Sequence, residues 1–161
     1  MMPLLLPVET LGGQAMRDDI ENLLGMMPDA ELSKLNEDFG MELVVKLAER
    51  LPEQIVGLLS AARFFGVHFL PGILAYTDDR LIYGMSRSPD NFSPRWDIWE
   101  WSALNRVSFS EMPDGFVQAM VSCRDGERLT LRVGANVPVC AALAQGFLRD
   151  VSNAVERAQF N

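Results

Sequence analysis

The residues best equipped for recognition chemistry lie in one stretch, Arg95-Trp-Asp-Ile-Trp-Glu-Trp101. Indole and guanidinium groups dominate many protein interfaces because they join a large flat surface to a polar edge. In an extended chain, alternation puts Trp96, Ile98 and Glu100 on one face and Asp97, Trp99 and Trp101 on the other. Both faces then carry indole, so one needs a cover, either the N-terminal helices or a partner. A second aromatic cluster, Phe64, Phe65 and Phe69, falls in Arg63-Phe-Phe-Gly-Val-His-Phe-Leu-Pro71, which reads as an apolar loop after the first strand. The expected partner-binding set is therefore Trp96, Trp99, Trp101, Arg95, Phe64, Phe65 and Phe69.

Catalytic and metal chemistry have no comparable signature. His68 is the only histidine, and no thiol or second imidazole lies near it in sequence to orient it as a base. There is no G-x-S-x-G elbow, and Gly12-Gly13 lacks the lysine and spacing of a phosphate loop. Cys123 and Cys140 fall in different predicted elements without a CxxC, so they read as small core residues of a reduced, cytoplasmic protein. Asp78 and Asp79 suit a turn, and Asp18 and Asp19 a helix start. No catalytic residue, cofactor or metal ligand is expected. Arg80, just after the turn, is placed to pair with Asp78, or else with a partner's carboxylate.

Charge narrows the partners. The 161 residues carry a net charge of −8. Residues 1–51 hold ten acids against four bases, and residues 52–161 hold twelve acids against ten arginines. Nucleic acid and anionic membranes bind clustered Lys and Arg, so neither suits this chain. The start, MMPLLLPVET, has too short an apolar run and no basic leader for a signal peptide, and reads as an extended arm.

The elements that would position these residues follow from periodicity. Met16, Ile20, Leu23, Leu24 and Met27 have helical spacing up to Pro28. Leu32, Leu35, Phe39, Leu43, Leu47 and Leu51 continue it as one helix with Asp29 as N-cap, stopping before Pro52. Beyond Pro52 the period shortens to that of strands: 55–65, 73–77, 80–86, 95–101, 106–110, 116–124 and 128–133. Met112-Pro-Asp-Gly115 and Asp125-Gly-Glu127 supply turns. In Gly72 to Gly84, Ile73, Ala75 and Thr77 share one face and Leu74 and Tyr76 the other, before a return strand carrying Leu81, Ile82 and Tyr83. A closing helix runs from about Pro138 to Ala158, with Cys140, Leu143, Phe147, Leu148, Val151 and Val155 as its stripe.

The hairpin and the order of elements resemble the bacterial pleckstrin-homology-like domains, marked by a "G-x-L-x-x-T-D-x-R-L-I-Y/F" hairpin. The matching residues are Gly72, Leu74, Thr77, Asp78, Arg80, Leu81, Ile82 and Tyr83, followed by Leu104-Asn-Arg-Val107. The resemblance covers residues 52 to about 158. It implies an α+β fold: a partly open antiparallel barrel of about seven strands closed by a C-terminal helix, here preceded by two helices. The division is then an acidic helical extension, 1–51, and a PH-like domain, 52–161. The resemblance further implies a non-enzymatic binding or assembly module, acting by protein–protein contact or self-association. The alternatives are an adaptor or chaperone-like protein holding a partner peptide, and a peripheral membrane protein using the apolar loop. Phosphoinositide-binding members set several Lys and Arg around the first strand pair, where this chain offers Arg63 and His68, so phosphoinositide is not the expected ligand.

Overall fold

Alternating apolar residues and short turns after Pro52 produce seven antiparallel strands, and the computed structural model describes them within residues 17–37, 39–86 and 93–160. The strands are β1 (Gly57–Phe65), β2 (His68–Tyr76), β3 (Arg80–Ser86), β4 (Pro94–Glu100), β5 (Leu104–Glu111), β6 (Val117–Cys123) and β7 (Arg128–Val133). They form one sheet in the order β4-β3-β2-β1-β7-β6-β5. Two meanders, β1 to β4 and β5 to β7, meet along β1 and β7, where Ala61, Ala62 and Arg63 face Val133, Arg132 and Leu131.

The sheet has to curl. Its edge strands β4 and β5 would stand roughly 29 Å apart in a flat seven-stranded sheet. Only the 3₁₀ turn Trp101–Ala103 joins them, and that link can span at most about 15 Å. The result is a partly open barrel. Its inner face carries Leu59, Leu74, Leu81, Ala119, Val121, Leu129 and Leu131, all buried. The chain is thus an α+β fold with the seven-stranded, partly open antiparallel barrel that its strand pattern implied.

Three helices precede the sheet among the described residues: α1 (Asp18–Gly25), α2 (Asp29–Asn36) and α3 (Gly40–Arg50). The single helix expected over residues 29–51 is therefore two, and Pro28 rather than Asp29 is its N-cap. The break has a local cause. Phe39 takes a left-handed φ of 67°, and the Gly40 backbone passes so close to the Leu35 carbonyl that a Cβ there would collide with it. After the turn α3 packs on β2 and β3, while α1 and α2 lie on β1. Ile20, Leu35, Leu43 and Leu47 join the strand residues Ile73 and Ile82 in one core. The N-terminal arm lies outside the described residues, as does the loop at 87–92.

Two carboxylates fasten the helices to the sheet. Glu31, fully buried on α2, accepts the backbone N–H of Ser60 at 2.7 Å and of Ala135 at 2.8 Å. Asp19 accepts the Ile55 N–H at 2.7 Å and pairs with Arg17, which also donates to backbone carbonyls of Ala48, Leu51 and Glu53. Burial opposes the Asp19 charge, but Arg17 and the two amides of Ile55 and Ile20 outweigh it and hold the carboxyl below its ordinary range.

The β2–β3 hairpin expected from sequence forms, with Leu74 opposite Tyr83 and Ala75 opposite Ile82. Its turn is built on Thr77, whose Oγ1 accepts the N–H groups of Asp79 and Arg80 and donates to Glu53 at 2.8 Å. Arg80 pairs with Glu53, not with Asp78, through its Nε and Nη2. The carboxylate wins because it engages the guanidinium edge and the Thr77 hydroxyl at once. Strand β2 also begins five residues earlier than expected. Pro71 is tolerated there because β3 pairs only with Ile73 to Tyr76, so Pro71 sits where β2 has a neighbour on one side alone.

The last helix, α4 (Pro138–Gln159), has Pro138 in its first turn and packs on β5, β6 and the 3₁₀ turn. Its buried stripe is Cys140, Ala141, Ala144, Phe147, Leu148, Val151, Ala154 and Val155. Leu143, expected within that stripe, lies at its margin and is 38% exposed.

Candidate functional site

The seven aromatic and arginine residues singled out in the sequence separate into distinct places. Phe65, Trp99 and Arg95 come together on the inner face around Arg63, which is itself only 7% exposed. Strand alternation puts Arg63 inside, where its guanidinium meets Asp97 at 2.8 Å and Glu127 at 3.3 Å. It lies 4.7 Å from the Phe65 ring centre and 5.9 Å from that of Trp99. Arg95 adds a contact of 3.6 Å to Asp97 and 5.7 Å to the Phe65 ring. Beside them the Tyr83 hydroxyl donates to the Leu70 carbonyl at 2.7 Å, and burial pushes the phenol above its ordinary range. This cluster joins β1 to β4 and to the β6–β7 turn. Its cation is charge-matched and its carboxylates are engaged, so its chemistry is that of a clasp.

Phe64 and Phe69 face outward on the other side of the hairpin, with ring centres 5.1 Å apart. Their segment is no loop: it is the end of the β1–β2 ladder, with Phe65 opposite His68 and Gly66-Val67 as the turn. Trp96 lies on the outer face over Gly84, whose missing side chain makes room for the indole. Trp101 leaves the strand for the 3₁₀ turn. There it is buried, its Nε1 donates to the Asp78 carbonyl at 2.8 Å, and its ring meets Tyr76 edge-on.

His68 is exposed at the start of β2. Cys123, Asp125 and Glu127 bring ligand atoms within 4.8 Å of one another in the β6–β7 turn. Asp125 accepts the Glu127 N–H, Glu127 holds Arg63, and burial with the Glu127 and Asp125 charges pushes the Cys123 thiol up.

Sequence reasoning missed a groove between α1, the start of β1 and α4. Leu23, Met26 and Met27 form one wall, Val56 and Leu58 the floor, and Leu143, Gly146 and Phe147 the other wall, around a volume of about 410 Å³. Met26 is 73% exposed, Val56 40% and Leu143 38%. Tyr76 closes one end, its hydroxyl donating to Asp150 at 3.1 Å. Burial, then the Asp150 charge and hydrogen bond, push that phenol up to about 12. Gly146 deepens the groove, since nothing stands within 4 Å of where its Cβ would be. The signal available in sequence was Leu143 and Gly146 beside each other on the margin of the α4 stripe.

No family model matches the chain, and no curated protein does. Among solved structures it is similar to the C-terminal domain of an unknown protein from Leishmania infantum, at 14% identity and a TM-score of 0.48, over 72% of this chain and 97% of that one. The DH/PH domains of p115-RhoGEF match at 8% identity and a TM-score of 0.49, over 86% of this chain and 42% of that one. The complex of PDZ-RhoGEF DH/PH domains with GTP-gamma-S activated RhoA matches at 11% identity and a TM-score of 0.45, over 86% and 39%. This chain thus spans about two fifths of those RhoGEF chains. With TM-scores below 0.5 these likenesses are distant, and the fold stands on its own sheet order. Among the described residues no helix is long and apolar enough to cross a membrane.

Proposed function

We propose that the protein is a non-enzymatic protein-binding module that holds an amphipathic helix of a partner in the groove between α1 and α4. The observation that carries this is the contiguous exposure of Met26, Val56 and Leu143 around a preformed cavity. Apolar side chains spaced along one helix face fill such a groove, and the two methionines on its wall adapt to their shape. Charge selects the partner. Residues 1–51 are strongly acidic, Asp18 and Glu21 open α1, and the groove is lined by Asp150 with Arg149 beside it, so the helix that fits carries basic residues on the α1 side of its apolar face. In this reading the helical extension 1–51 works as one wall of the PH-like domain's binding site. Phe64, Phe69 and Trp96, on the outer sheet face, are left for secondary contacts.

Fluorescence anisotropy with a labelled leucine–lysine amphipathic peptide and its scrambled counterpart tests the proposal. The amphipathic peptide should bind, and Gly146→Trp, which fills the groove from a position without steric neighbours, should abolish binding while leaving the unfolding midpoint near that of the parent. Equal binding of both peptides, or full binding by the Gly146→Trp variant, would overturn it. Sedimentation of the same samples separates peptide capture from self-association through the free edge of β4.

A further inference from the structure

We infer that the outer face of β1, β2 and β7 carries a second site, which takes a small organic oxyanion, a phosphoryl or carboxylate group on a flat apolar body. A cavity of about 250 Å³ opens there, lined by Lys34, Ser60, Phe69, Phe116, Arg132 and Gly134. It is separate from the α1–α4 groove.

The cations converge. Arg132 lies 4.1 Å from the Phe69 ring centre and 5.3 Å from that of Phe116, and Lys34 stands 6.0 Å from the same Phe116 ring. Ring contacts engage a guanidinium by its flat face, and the N–H donors that grip an oxyanion point outward in its plane. The carboxylates beside them, Asp114 at 3.7 Å from Arg132 and Glu37 at 3.9 Å from Lys34, form ion pairs too long to be hydrogen bonds, so the N–H donors stay available to a ligand. In a chain holding only two lysines and a net charge of −8, a lysine and an arginine directed at one cavity stand against the general field.

The floor supplies an independent observation. Ser60 is 3% exposed, lines the cavity, and its Oγ has no hydrogen-bond partner. Strand alternation puts this side chain on the outer face with Ala62 and Phe64, toward the cavity. A buried hydroxyl left unmet costs stability unless something meets it. An oxyanion between Arg132 and Lys34 would accept a hydrogen bond from it. The Glu31 carboxylate close behind Gly134 opposes such a group; the Ser60 and Ala135 amides it accepts offset part of its charge, and Arg132 and Lys34 line the cavity against the rest. Phe69, Phe116 and Pro71 give the apolar body of the ligand its walls.

Isothermal titration of the full chain with phenyl phosphate, benzoate, inorganic phosphate and phenol tests the assignment. Phenyl phosphate and benzoate should bind, inorganic phosphate more weakly, and phenol not at all. Arg132→Gln should weaken phenyl phosphate binding about tenfold or more, the loss of one charge-assisted bidentate contact. Ser60→Ala should weaken it as well while raising the unfolding midpoint, a pairing that a purely structural serine would not give. Gly146→Trp should leave this binding intact, so failure here and failure of the groove proposal are told apart. Absence of binding by both aryl anions, or equal binding by the parent and Arg132→Gln, would overturn the inference.

Discussion

Glu31 reaches Ala135 across 104 residues of sequence, its Oε1 accepting that backbone amide at 2.8 Å while its Oε2 takes the amide of Ser60. One carboxylate thus joins α2, β1 and the chain just beyond β7. Glu31→Ala would leave two buried amides unmet and should cost about 2–4 kcal/mol. Glu31→Gln keeps one acceptor oxygen and should cost less. Urea unfolding with an unchanged slope is the measurement, and a loss near zero would show that the helices hold without this bond.

Acid should loosen the same helices and the hairpin. Glu53 is held below its ordinary value of 4.5, chiefly by Arg80 against burial and with help from Thr77, and Asp19 below its ordinary 3.8. A carboxyl with a depressed folded-state value stabilises fully above the unfolded value, and the benefit disappears as pH falls through the folded one. Stability should therefore decline as pH drops below about 4.5, and Glu53→Gln should flatten the upper part of that decline. Urea midpoints across that interval will show whether the variant follows the parent, which would remove Glu53 from the account.

Two glycines should respond in opposite directions to alanine. Gly146→Ala adds a methyl where nothing stands within 4 Å, in the middle of α4, and should stabilise by about 0.5–1 kcal/mol. Gly40→Ala drives its methyl into the Leu35 carbonyl, part of a backbone that cannot step aside, and should destabilise by about 1–3 kcal/mol. Thermal melts of the pair decide it, and a shared sign would contradict the packing described.

Neither tyrosine should ionise near the ordinary phenol value of 10.0. Burial and then Asp150 hold Tyr76 up to about 12, and burial holds Tyr83 high as well. Absorbance titration at alkaline pH should show no phenolate step at 10 in the folded protein. Asp150→Asn should bring the Tyr76 step down, because it removes the negative charge beside the hydroxyl.

What sequence could reveal here was local. Alternation in Leu74, Tyr76, Leu81 and Tyr83 marked the two strands of the hairpin and their faces, and the spacing from Cys140 to Val155 marked most of the buried side of α4. The break before Gly40 was hidden because Leu32, Leu35, Phe39, Leu43 and Leu47 stay in phase across it. Arg80 met Glu53 rather than Asp78, a partner 27 residues away whose approach depends on the whole sheet. The groove was least visible of all. Its walls come from residues near 25, 56 and 145, and nothing in any one of those segments announces the other two.

The barrel is two local meanders fastened along a single short seam, Ala61 to Arg63 against Leu131 to Val133. The β-hairpins within each meander close over a few residues and form early, whereas the seam joins positions some seventy residues apart. Within the sheet these are the pairings of longest sequence separation. Each half can fray at its own edge, but only rupture of the seam divides the sheet in two.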